Sequence, residues 1–231
     1  MQATRSAGIW QEHAADEWSD AIVASMKLGG IDHLFFVSGS EMVFFQEAIA
    51  KAEEKGTPAP KLVTMMHESV ALNAAIGASM VRGQPSASTV HVDVGTLHYG
   101  AAVHTAWRGG YPVMLMAGTP PRSLIGMGMR GGRTGPAAVQ YLQETRDQGE
   151  IVRQYTKMDH RLEHTDNPGF MISRLLQVAM SAPQGPVYLA VPFGLAWAEL
   201  RGWWRLRALP PAARAPQSAT KSTTQSATQP W

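Results

Sequence analysis

Short runs of consecutive apolar residues alternate along this chain with stretches in which apolar positions recur every three or four residues. Over residues 16 to 29, Trp18, Ile22, Met26 and Leu28 fall at helical spacing, with Asp16 as a candidate N-cap and Gly29-Gly30 as a stop. Ile31 to Val37 then reads as a buried strand, Glu41 to Glu54 as a helix, and Lys61 to Met66 as a second strand. A small-residue helix follows directly, His67-Glu68-Ser69-Val70-Ala71 continuing to Met80. Ser88 to Val94 reads as a strand, Tyr99 to Trp107 as a helix, and Tyr111 to Gly118 as an almost wholly apolar strand. Beyond a Gly/Arg-rich loop at 120–136, helical segments are expected around Ala137 to Tyr155 and Pro168 to Ser181, then a last strand from Gly185 to Pro192.

Strands apolar on both faces, each separated from the next by a helix, predict a parallel sheet covered by helices on both sides. The expected class is therefore α/β. Ahead of it residues 1–15 form an extension, and the domain itself runs over 16–197. From 198 to 231 the composition turns to Arg, Pro, Ala, Ser, Thr and Gln, and this tail is expected to be disordered because it cannot bury enough apolar surface to order itself.

The chain has 231 residues, enough for one sizeable core, and no run of the roughly 18 apolar residues a membrane helix needs. With no signal-peptide core at the N-terminus and no cysteine for a disulfide or thiolate metal site, a cytoplasmic protein without membrane contact is expected. The isoelectric point near 9.0 suggests nucleic acid at first sight. However, Arg201, Arg205, Arg207, Arg214 and Lys221 lie after residue 200 in a chain whose net charge is +2, so the folded part is acidic and no nucleic-acid partner is expected.

Two motifs fail on context. Gly126-Met127-Gly128-Met129-Arg130-Gly131 spells G-x-G-x-x-G, but prolines precede it and a further Gly/Pro-rich run follows, where a dinucleotide loop needs a strand before and a helix after. Histidines 67, 91, 98 and 104 show no i, i+4 pair with a third carboxylate, and His67-Glu68-Ser69-Val70-Ala71 is not H-E-x-x-H, so no metal site built of protein ligands is expected. Glu68, in the first turn of its helix, reads on its own as a carboxylate favoured by the helix dipole.

Blocks in order along the chain change that reading. Phe35-Phe36-Val37-Ser38-Gly39-Ser40, His67-Glu68-Ser69-Val70-Ala71, Asp93-Val94-Gly95-Thr96-Leu97-His98, Ala106-Trp107-Arg108-Gly109-Gly110-Tyr111-Pro112, Gln143-Glu144-Thr145-Arg146-Asp147-Gln148, Tyr155-Thr156-Lys157 and Gly185 to Pro192 follow the landmark order of one family. The chain thus resembles, over about residues 16 to 197, the N-terminal pyrimidine-binding domain of acetolactate synthase-like thiamine diphosphate enzymes. It departs from their pattern at Ser38, Asp93, Val94 and His98.

The resemblance implies a flavodoxin-like, doubly wound fold and lyase or transferase chemistry on a 2-keto acid. It makes Glu68 the carboxylate that hydrogen-bonds the cofactor's aminopyrimidine, desolvated by Met65, Met66, Val70 and Leu72. Gly39 and Gly95 would border the pyrimidine, Gly95 as a turn glycine, and Gln143 would lie on the substrate side. The family holds Mg²⁺ and the diphosphate through a G-D-G…N motif in another domain, and this sequence contains no Gly-Asp-Gly. A diphosphate-binding domain or subunit acting in trans, in a homo- or hetero-oligomer, is therefore expected, with little activity from the chain alone. A shortened form of a longer enzyme is favoured over one subunit of a split enzyme. The alternative is a non-catalytic α/β binding or regulatory module that keeps the fold and the dimer surface.

Overall fold

The computed structural model describes residues 6–7, 10–121, 126–127, 130–131, 143–164, 168–196 and 203–207. Its centre is a six-stranded sheet of β1 (His33–Phe36), β2 (Lys61–Thr64), β3 (Ser86–Val90), β4 (Val113–Thr119), β5 (Asp159–Arg161) and β6 (Val187–Pro192). The strands lie in the order β2-β1-β3-β4-β6-β5 and every pairing is parallel. Parallel neighbours need a crossover, and helices supply most of them: α2 (Val43–Lys55) leads from β1 to β2, α3 (Glu68–Arg82) from β2 to β3, α4 (Val92–His98) and α5 (Ala101–Gly109) from β3 to β4, and α6 (Pro168–Met180) from β5 to β6. Helix α1 (Trp18–Leu28) precedes the sheet and the short α7 (Phe193–Ala196) follows it.

The two faces of the sheet sort cleanly. Alternate residues of β4 point opposite ways, so Met114 and Met116 join the core under α1, α2 and α6, with Trp18, Ile22, Phe44, Phe45, Leu175 and Leu176. Val113, Leu115 and Ala117 join the second core under α3, α4 and α5, with Leu72, Ile76, Tyr99, Val103 and Tyr188. The α/β class with helices on both faces is as the apolar runs predict.

Several boundaries differ, each for a local reason. The α1 helix begins at Trp18 after Glu17, whose amide donates to the Asp20 carboxylate at 3.1 Å, so Asp16 is not the cap. The strand expected to reach Val94 stops at Val90. At Val92 the backbone swings to φ 35°, rare for a β-branched residue, and α4 begins. The single helix expected over Tyr99 to Trp107 is instead α5, divided from α4 at Gly100, whose φ of 47° a side chain would disfavour. Gly95 is accordingly a buried helix residue of α4 and not a turn glycine. Of the helix expected around Ala137 to Tyr155, residues 137–142 lie outside the described residues, and Gln148–Ile151 and Arg153–Tyr155 form 3-10 turns.

Within the stretch expected to be disordered, Trp203–Arg207 forms a strand that pairs antiparallel with Trp10–Ala14, which in turn pairs with Ser6–Ala7 in the expected extension. The alternation Trp-Trp-Arg-Leu-Arg can sustain such a ladder, whereas 208–231 lie outside the described residues. Gly126–Met127 and Arg130–Gly131, in the expected loop, form a two-residue ladder. No helix among the described residues is long and apolar enough to cross a membrane.

Candidate functional site

The chain runs from β1 outward to β2 and then returns to β3 on the other side of β1, so the sheet reverses direction at β1/β3. Open α/β sheets bind ligands outside the carboxyl ends of the strands at such a point. Glu41, after β1, and His91, after β3, meet there, while Glu68 stands beyond the end of the adjoining edge strand β2.

Glu68 is the first residue of α3, and the residue before it, His67, caps the helix by accepting the Ser69 amide on Nδ1 at 3.2 Å. Its side chain is 13% exposed, and Oε2 lies 3.3 Å from Nδ1 of His98 and 3.8 Å from Nδ1 of His67. The two imidazoles stack with centroids 5.3 Å apart and planes 19° apart. Spacing along the sequence excluded such a grouping, but α4 packs beside α3 and carries His98 onto the Glu68 carboxylate. Among the described residues, His67, Glu68 and His98 bring nitrogen and oxygen atoms within 4.8 Å of one another, a grouping that the sequence spacing did not suggest.

The apolar wall expected around Glu68 is only half present within this chain. Leu72 is fully buried, but Met66 is 95% and Val70 52% exposed. Val70, Gly77 and Val81 share one face of α3 at helical spacing, and Met80 adjoins it, as do Val94 and Leu97 on α4, all but the glycine exposed apolar side chains. Among the described residues, nothing lies within 4 Å of where a Cβ at Gly77 would stand.

Glu41 is the residue that reading the sequence passed over. It stands in a 3-10 turn, Ser40–Met42, wholly buried. Its Oε2 accepts from the Ser40 hydroxyl at 2.6 Å and makes a short contact with Nε2 of His91, while Oε1 is buried with no partner among the described residues. Burial pushes the Glu41 carboxyl up, but hydrogen bonds from His91 and Ser40 outweigh it and hold the group below its ordinary value. Gly39 makes room for this pair, since a Cβ there would run into the His91 ring. Gly118 does the same on the other side, where a Cβ would meet Glu41 at 2.8 Å. The sequence signal was a carboxylate between a strand and a helix in Gly-Ser-Glu, masked by its resemblance to an ordinary helix start.

Behind the cluster, the buried glutamine is Gln148, the last residue of the Q-E-x-x-D-Q block, whereas Gln143 is only half-buried. Gln148 Nε2 reaches the Gly118 carbonyl at 3.0 Å, the Tyr188 hydroxyl at 2.8 Å and Thr96 Oγ1 at 3.4 Å. Burial raises the phenols of Tyr99 and Tyr188 well above their usual range, so both stay neutral hydrogen-bonding groups. Gly95 packs against Val90, 3.0 Å from where its Cβ would be. Thr89 Oγ1 and Thr119 Oγ1, near the carboxyl ends of β3 and β4, are buried and have no hydrogen-bond partner among the described residues. A cleft of about 770 Å³ lined by Arg146, Arg153, His160, Leu162 and Phe170 lies at the β5 edge of the sheet, the edge opposite β2 and Glu68. Its size alone does not make it the site, because the polar groups that converge at a topological reversal lie elsewhere.

Comparisons with known proteins bear on the family and the fold. The family described as "Thiamine pyrophosphate enzyme, N-terminal TPP binding domain" matches residues 16–151. Benzoylformate decarboxylase of Pseudomonas aeruginosa is 26% identical over 128 residues, 55% of this chain and 22% of that protein. The acetolactate synthase large subunit of Mycobacterium tuberculosis is 26% identical over 171 residues, 74% of this chain and 28% of the relative. Among solved structures, the thiamine diphosphate-dependent 4-hydroxybenzoylformate decarboxylase of Rhodococcus jostii RHA1 superposes with a TM-score of 0.64 at 21% identity, covering 80% of this chain and 32% of that one. The benzoylformate decarboxylase of Polynucleobacter necessarius gives a TM-score of 0.64 at 19% identity, covering 81% and 32%. These two likenesses establish the fold. The chain spans less than a third of each of these proteins.

Proposed function

Because this chain belongs to the thiamine pyrophosphate enzymes and carries their N-terminal, cofactor-binding domain, we propose that it is the pyrimidine-binding half of a 2-keto acid decarboxylase or carboligase, with Glu68 as the carboxylate that activates the cofactor. The observation that carries the reading is the position of Glu68: an acid at the head of α3, outside the carboxyl end of a central parallel sheet, 13% exposed, on a helix that also bears the exposed apolar side chains of Val70, Met80 and Val81. A carboxylate so placed fits an aminopyrimidine, which offers ring nitrogens to an acid and an apolar face to the side chains around it.

Thiamine diphosphate, when bound, supplies the electron sink for breaking or making the bond beside a keto group. What the chain supplies is proton control and placement. Glu68 holds a proton at a ring nitrogen of the pyrimidine through Oε2. His67 and His98 fix where that oxygen stands. Gly39 carries the backbone past the ring side of the crevice, and Gln143 lies on the side from which substrate enters. Mg²⁺ and the diphosphate are held by a domain other than this one. The exposed face of α3 and α4 is where that domain, or a second copy of this chain, completes the wall around Glu68 and excludes water.

Replacement of Glu68 by Gln keeps the shape and removes the acid. In an assembly with a diphosphate-binding subunit, Glu68→Gln is expected to lower turnover of a 2-keto acid at least about a hundredfold, the usual scale for a positioned acid or base. The melting temperature should be unaffected. Unchanged turnover with the fold intact would reject the reading.

A further inference from the structure

We infer that the cleft at the β5 edge of the sheet is a second binding site, for an aryl carboxylate: a planar apolar ring system carrying one negative charge. It lies at the edge opposite β2 and Glu68, so the inference needs neither thiamine diphosphate nor a second domain and does not rest on the proposed function.

Size and stiffness admit such a ligand. The cleft's volume of about 770 Å³ falls within the range of about 300 to 1,000 Å³ in which proteins hold small molecules. Its wall is already in place. Arg153 donates from Nε to Asp159 at 2.9 Å and from Nη2 to Asp159 and to Asp147 at 2.7 Å each, which ties Asp147, the cap of the 3-10 turn Gln148–Ile151, to strand β5. Little ordering of the protein is then needed on binding.

The apolar part of the lining suits a ring. Phe170, near the start of α6, is 55% exposed, and Leu162 and Met171 line the same cleft. An aromatic ligand gains there from stacking as well as from burial, where an aliphatic chain gains from burial alone.

Charge selects the head group. Three arginines and three carboxylates line the cleft, so the wall carries little net charge. Arg153 is committed to two of those acids, whereas Arg146 is exposed and makes no hydrogen bond or ion pair among the described residues. Its planar fork matches a carboxylate through two parallel hydrogen bonds. Burial pushes the His160 imidazole below its ordinary value, against the pull of Glu163 and Asp159, so at pH 7 it is neutral and adds no second cation. A dianion such as a phosphate ester would bring a charge that nothing there offsets.

The test is calorimetric titration of the full chain with 2-naphthoate, without thiamine diphosphate, on wild type and on Arg146→Gln, Phe170→Ala, Arg108→Gln and Glu68→Gln. Arg108 lies in α5 and is not part of the cleft lining. Two further ligands separate ring from charge: 2-naphthalenemethanol removes the charge, and 2-naphthyl phosphate adds one. One equivalent of 2-naphthoate is expected, with affinity falling at least tenfold in Arg146→Gln and in Phe170→Ala and holding in Arg108→Gln and Glu68→Gln. The alcohol should bind wild type at least tenfold more weakly than the carboxylate and lose nothing further in Arg146→Gln. Absence of binding in the wild type, wild-type affinity in either cleft variant, or a loss in Glu68→Gln would overturn the inference, and tighter binding of the phosphate would overturn the choice of head group. Circular dichroism on each variant separates loss of the site from loss of the fold. Binding is read here on the chain alone and turnover on the assembly, so either proposal can fail without the other.

Discussion

At the scale of residues, Gly39, Glu41 and His91 act as one unit. The missing Cβ of Gly39 is what lets the His91 ring lie against the Glu41 carboxylate. Gly39→Ala is therefore expected to push the ring away and cost about 1 to 3 kcal/mol, the range for overpacking a filled site, read as a drop in chemical-denaturation midpoint. A small change would mean that the ring can move without cost. The same pair sets a pH dependence. Because Glu41 sits below its ordinary value in the folded chain, its contribution is complete above the unfolded value, about 4.3, and is lost as pH falls through the lower folded value. The melting-temperature gap between wild type and Glu41→Gln should close as the solution is made acid enough to protonate Glu41 in the folded chain. A gap that widened in acid would reverse the assigned sign. Neither the contact nor the shift was legible in the sequence, since the two residues lie 50 positions apart and meet only because β1 and β3 are neighbours.

At the scale of elements, the parts that were legible were the long or strongly apolar ones. Val113 to Thr119 is buried at every position, and a strand that is apolar on both faces announces itself in one dimension. Val90-His91-Val92-Asp93-Val94 alternates just as well and still leaves the sheet at Val90, because burial of Val92 and Gly95 against the core outweighs the local β preference. The strand Asp159–Arg161 gave no signal, being short, polar and at an edge, where only one neighbour pairs with it. The α4–α5 junction was missed for a related reason: one glycine does not distinguish a turn from a helix position. Gly100→Ala is expected to cost about 1 to 3 kcal/mol, the scale of a side chain forced into a sparsely populated backbone region. A melting temperature equal to wild type would show that the junction relaxes freely.

At the scale of the whole molecule, the unusual feature is apolar surface left uncovered beside an acid. Val81 is 89% exposed and Met66 95%, and Val70, Met80, Val94 and Leu97 are each about half exposed. Single exposed apolar residues are ordinary, but several of them along α3 and α4 are what the docking face of the proposed assembly would require. If the proposed assembly forms there, Val81→Asp should dissociate it in sedimentation velocity while leaving the isolated chain's stability within about 0.5 kcal/mol, as for an exposed position. A variant that sediments with the assembled wild type would move the partner elsewhere. In the proposed assembly Glu68 would gain the rest of its apolar wall from the partner.

The sequence by itself determined the class of fold, the alternation of strand and helix, and the place of Glu68 at a strand-to-helix junction, because burial pattern and helix starts are written locally. The tertiary structure decided the strand order and therefore the company each side chain keeps: Glu41 with His91, Gln148 rather than Gln143 in the buried network, and His98 on Glu68. Those pairings depend on which strands lie side by side and on where α4 begins, and both are settled by packing between residues far apart in the chain.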